Sequence, residues 1–162
     1  MKKITSFILL FSLMTITTSA NARCSITDFQ QCLSCDELSE AIDINQPNAG
    51  DYYRGAYWNG LYMAYVRNCP NIGQLLLDHG ASPVTGGYEG LMILEVSGSW
   101  PHNDQAINSK WVDLLLKYGA TMNTPTLFGD QLTTTGKMDW LAGEGFPIDI
   151  SYPSLLKKFA NE

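Results

Sequence analysis

The chain has 162 residues, 45% of them hydrophobic and 16% charged, with a formal net charge of −6 at neutral pH. This is enough apolar material for one domain with a sizeable core. The acidic balance repels nucleic acid and anionic lipid, so neither is an expected partner, and it steers towards proteins with a basic surface.

Lys2 and Lys3 precede an apolar run from Phe7 to Ile16 and then the small-residue sequence Ala20-Asn21-Ala22. This order predicts a cleaved secretory signal over residues 1–22. The run is shorter than the roughly 20 residues a spanning helix needs, so no stable membrane insertion is expected after cleavage. Arg23, not a small-residue lipidation triplet, stands before Cys24. The expected product is a soluble periplasmic or secreted protein starting near Arg23. Loss of Lys2 and Lys3 makes its net charge −8.

Cys24, Cys32, Cys35 and Cys69 fall in the first third of that product. Export and an even count favour disulfides over free thiols. Three pairings are open; a bond from Cys32 or Cys35 to Cys69 would tie the terminal unit to the segment that follows.

Residues 23–44 are expected to form a helical pair. Ile26 to Leu33 offers a Thr27/Gln30 cap, and Ser34-Cys35-Asp36-Glu37 is a capping box in which Glu37 reaches back to the Ser34 N–H. Asn45 to Tyr53 carries Pro47, Asn48, Gly50 and Asp51 and reads as a loop. Helices are then expected over Ala56 to Val66 and from Asn71 or Ile72 to Asp78, the second ended by Gly80. The pattern restarts at Glu89 to Val96, with Gly90 standing to Leu91 as Gly60 stands to Leu61. A polar excursion, Ser97 to Gln105, interrupts it before a helix that closes at Gly119. A shortened third unit opens at Asn123-Thr124-Pro125, has its helix over Lys137 to Leu141, and closes at Gly145 to Asp149. Over residues 151–162, Leu155, Leu156 and Phe159 share one face and Lys157 and Lys158 the other, as suits a capping helix.

Two of these stretches repeat one another. Leu75-Leu76-Leu77 leads to Gly80-Ala81, and Leu114-Leu115-Leu116 leads to Gly119-Ala120. Self-similarity of this kind marks stacked repeats. The strings Ile72 to Ala81 and Trp111 to Ala120 resemble the second half of an ankyrin repeat, and Asn123-Thr124-Pro125 resembles that family's junction into a first helix. The resemblance covers residues 45–150. It lacks Thr-Pro before Leu61 and Leu91 and the His after them. It implies an all-α fold, a short ankyrin-like stack of about three to four helix pairs with projecting loops and a C-terminal capping helix.

Little in the sequence points to catalysis, so a non-enzymatic role is expected. Cys32-x-x-Cys35 has the spacing of thiol-disulfide oxidoreductases without their strand-to-helix context. His79 and His102 are too few for a zinc site, and no cofactor or metal is expected. Glu89 and Glu95 read as a solvated helix face. Tyr57 or Trp58, Trp111 and Trp140 are assigned to the interior. Aromatic and acidic residues concentrate instead where the repeat is broken. Asp51, Tyr52, Tyr53, Tyr88, Glu89, Trp100, His102 and Asp104 are therefore the expected partner-binding residues, since aromatic anchors dominate interfaces. The expected function is an inhibitor or immunity-type protein that occludes a toxin or envelope enzyme. Alternatives are an envelope scaffold or oxidative-stress protection factor, and a redox protein using Cys32 and Cys35.

Overall fold

Among the described residues three helices end at a glycine with the same backbone hydrogen bonds, and the helix Gly60–Val66 ends alike with Asn68 (φ 52°) in the glycine's place. The structure, a computed structural model, describes residues 24–128, 132–148 and 150–160; the expected leader 1–22 and the start near Arg23 lie outside them. In α3 (Pro70–Asp78) the Ala81 N–H donates to the Leu76 carbonyl. The Ala120 N–H reaches Leu115 in α5 (Gln105–Lys117), and the Phe146 N–H reaches Leu141 in α6 (Thr134–Gly143). The residue before each donor is a glycine with φ near +80°, Gly80, Gly119 and Gly145, because this exit needs the left-handed conformation that costs glycine least. Such exits end helices in many folds, and nothing in the architecture is diagnostic of ankyrin repeats.

The remaining helices are α1 (Cys35–Ala41), α2 (Gly60–Val66), α4 (Met92–Ser97) and α7 (Pro153–Ala160). Within each helix pair, α2 packs on α3 and α4 on α5. In the Leu triplets, Leu76, Leu77 and Leu115 are buried, Leu114 and Leu116 half-buried, and Leu75 exposed. The Tyr118 hydroxyl, just past α5, donates to the Asp78 carboxylate at the end of α3. Helix α7 lies on α4 and α5, burying Leu155 and Phe159 and leaving Lys157 and Lys158 in water.

The all-α expectation is overturned by a three-stranded antiparallel sheet in the order β1 (Gly50–Tyr53), β2 (Ala56–Asn59), β3 (Gly87–Tyr88). The fold is mixed α/β. Residues 50–53 belong to a strand instead of a loop, and the helix expected from Ala56 starts only at Gly60. Arg54 and Gly55, both at positive φ (53° and 81°), make the two-residue turn whose twist matches a hairpin. Asn59 then switches the chain from strand to helix. Its Oδ1 accepts from the Tyr62 N–H at 2.8 Å, and its Nδ2 donates to the Thr85 carbonyl at 2.9 Å.

Other differences are local. Helix α4 begins at Met92, later than the match with Asn59 to Val66 implies, because Glu89 and Gly90 both take positive φ (49° and 78°) in a turn. No helix starts at Thr124-Pro125; Pro125 bridges to Thr133, and Thr133 caps α6. Residues 26–33 contain only a 3-10 turn, Phe29–Gln31. The Ser34 cap forms as expected, but Glu37 reaches the Leu33 N–H instead of that of Ser34. Trp111 is buried, whereas Trp140 is 50% exposed, with Lys137 Nζ 4.5 Å from its ring centroid.

All four cysteines are paired, Cys24 with Cys32 and Cys35 with Cys69. The second bond joins α1 to the start of α3. The two sulfurs of Cys32-x-x-Cys35 therefore belong to different bridges, and the motif does not close on itself as a redox dithiol does.

Candidate functional site

The hairpin, the β3 turn and the 97–105 excursion bring three of the expected aromatics to one cleft. Tyr53 ends β1, Tyr88 ends β3 and pairs with Ala56, and Trp100 comes from the excursion. They are 45%, 40% and 58% exposed. Two hollows of about 330 and 210 Å3 meet between them and share Tyr88, Trp100 and Glu95. The larger is bounded also by Tyr53, Arg54, Trp58 and Tyr62; the smaller by Leu94, Gly98, Ser99, Leu141, Pro147 and Ile148.

Glu95 is the residue that the sequence reading misplaced. It is 7% exposed, within the otherwise apolar Met92-Ile93-Leu94-Glu95-Val96. Its Oε1 accepts from the Tyr88 N–H at 2.6 Å and its Oε2 from the Tyr62 hydroxyl at 3.3 Å. The side chain passes so close beneath Gly87 (φ 78°) that a Cβ there would stand 2.2 Å from Glu95 Cγ. Removal from water outweighs these two hydrogen bonds and pushes the carboxyl up to about 7. Burial and the nearby Glu95 charge likewise push the Tyr62 and Tyr65 phenols well above their ordinary value. Among the described residues no Lys, Arg or His nitrogen lies within 4.0 Å of the Glu95 carboxylate. A lone acid inside an apolar helical run was the available signal for it.

The excursion is anchored at several points. His102 Nε2 donates to the Tyr65 carbonyl at 2.6 Å, and the imidazole packs edge-on to the Tyr65 ring. Asn108 Nδ2 donates to the Gly98 and His102 carbonyls. The Tyr65 hydroxyl lies 2.8 Å from Asn108 Oδ1 and 2.9 Å from the Glu95 carbonyl. Asp104 caps α5, accepting from the Ala106 and Ile107 N–H groups. His102 and Asp104 thus use polar atoms to fix the excursion's end on α2 and the start of α5.

Tyr52, Asp51 and Glu89 are not part of the cleft lining. Successive strand residues point to opposite faces. Tyr53 therefore faces the cleft while Tyr52 packs on Tyr57 and Phe128, with centroids 5.3 and 5.1 Å away. Asp51 is exposed and accepts from the Tyr52 N–H, and Glu89 pairs with Lys137 at 3.4 Å.

Among the described residues no group of three or more His, Cys, Asp or Glu is placed to hold a metal, and no helix is long and apolar enough to cross a membrane. Comparison with protein-family models, curated proteins and solved structures gave no match.

Proposed function

We propose that this chain is an exported, non-enzymatic binding protein that recognises a protein partner through the Tyr53–Tyr88–Trp100 cleft, and that it acts as an inhibitor or immunity-type protein by covering that partner's working surface. The observation that carries the reading is the convergence of three half-exposed aromatics from three chain segments on one cleft. Large, rigid rings ringed by polar surface are the usual anchors of protein interfaces. The anchored backbone of the excursion supports it further, since a segment already fixed costs less entropy to bind than a mobile one. Two disulfides suit an oxidising compartment, and the acidic charge suits a basic partner.

The test is capture from the envelope of the source cell, with wild type and the Tyr53→Ala/Tyr88→Ala/Trp100→Ala variant as baits. Wild type is expected to retain one protein in stoichiometric amount, and the variant, its fold checked by circular dichroism, to lose it. Equal recovery on both baits, or no stoichiometric protein on wild type, contradicts the reading.

A further inference from the structure

Building on that protein-binding reading, we infer that the cleft receives one cationic side chain, lysine or arginine, projecting from the partner, with its charge at Glu95 and its stem against Tyr88 and Trp100. Four observations carry this. Glu95 lines both hollows although it is nearly buried, and its carboxylate is bonded to Tyr88 and Tyr62, which line the larger one. Each of its oxygens accepts one hydrogen bond and has capacity for another. Among the described residues this carboxylate has no paired cation, and an entering one would supply the counter-charge that burial demands. The walls are aromatic faces, which attract cations, and the Arg54 guanidinium already sits 5.0 Å from the Tyr53 centroid.

The side of entry follows from the lining. Arg54 stands at the rim of the larger hollow and repels a second cation there. Among the described residues no basic side chain lines the smaller hollow; Leu94, Leu141 and Ile148 offer an apolar wall that suits the methylene stem of a long cationic side chain. The titratable groups packed around Glu95 are the Tyr62 and Tyr65 phenols from α2 and Tyr88 from β3, with Arg54 beyond them, and among the described residues no second carboxylate lines either hollow. Binding is therefore strongest where Glu95 is ionised, at and above about pH 7, and weakens as the solution is acidified.

Three peptides test this on the 15N-labelled chain: acetyl-Gly-Lys-Gly-amide, acetyl-Gly-Arg-Gly-amide and acetyl-Gly-norleucine-Gly-amide. The two cationic peptides are expected to shift the Trp100 indole and Tyr88 amide signals saturably, the norleucine peptide not. Glu95→Gln, with the Trp111 indole signal reporting an intact core, should bind them roughly tenfold more weakly. Equal response to the norleucine peptide, undiminished binding by Glu95→Gln, or no saturable shift with either cation at millimolar concentration overturns the inference. Partner capture separates the two layers. If Glu95→Gln still captures the partner fully while the triple alanine variant does not, the cation fails and the interface stands; if neither variant alters capture, the interface itself fails.

Discussion

Between pH 4.5 and about 7, wild type is expected to lose about 3 kcal/mol of folding stability relative to Glu95→Gln. The sign follows from the buried acid. In the unfolded chain Glu95 releases its proton near 4.5, whereas in the folded chain burial holds the proton until about 7. Across that window the native state binds more protons than the unfolded state, so stability falls as pH rises. Below the window both states are protonated and wild type and variant run parallel; above it the full difference is present. Glutamine keeps the geometry, with Oε1 accepting from the Tyr88 N–H and Nε2 facing the Tyr62 hydroxyl. Groups such as Asp43, whose carboxyl the Asn45 N–H groups hold low, titrate alike in both proteins and cancel in the difference. Urea denaturation of the pair across the window measures it. A flat difference would mean that Glu95 is well solvated, which would undercut its place in the cleft.

Removing the Cys35–Cys69 bond is the second large effect. It closes a loop with a sequence separation of 34, and in the chain-entropy model this is worth about 4 kcal/mol. The Cys24–Cys32 bond closes a separation of only 8, worth about 2.5 kcal/mol on the same basis. Cys35→Ala/Cys69→Ala is therefore expected to be the less stable of the two double variants. It frees α1 from the start of α3, leaving the helix held by the fully buried Leu38 and the segment before it by Arg67, whose Nε donates to the Cys32 carbonyl at 2.8 Å. Cys69 is buried, but so are Cys24 and Cys32, so the small voids left by alanine do not set the order, which rests on loop length. Chemical denaturation of both double variants gives the order. If Cys24→Ala/Cys32→Ala proves the more damaging, the N-terminal turn and not the α1–α3 tether is what the disulfides secure.

Helix ends were the most legible part of this chain. Gly80, Gly119 and Gly145 each mark an exit because a left-handed residue with no Cβ penalty is a local requirement, visible without tertiary knowledge. The same holds for the Ser34 cap and for the two-sided pattern of α7. The hairpin was not read, because β1 and β2 do not alternate apolar and polar residues; β1 is mostly exposed and β2 has both its ends buried. Arg54-Gly55 between Tyr52-Tyr53 and Tyr57-Trp58 carried the signal, a turn glycine flanked by strand-favouring aromatics. Of the residues that line the cleft, Tyr53, Tyr88 and Trp100 stand in the broken parts of the repeat, where the sequence places its binding candidates. Glu95 is not among these candidates, since its burial depends on the Gly86-Gly87 turn folding over it. The scaffold role of His102 arises from a contact with Tyr65 that only the fold creates, whereas the Asp104 cap of α5 is local.

The central claim is that the partner sits on the cleft, and photo-crosslinking in the living envelope tests it most directly. A photoreactive phenylalanine derivative placed at Tyr88 is expected to capture one discrete protein of constant mass. The same residue at Asp36, exposed on α1 and outside the cleft, is expected to capture none. A discrete product from Asp36 and none from Tyr88 would contradict the account.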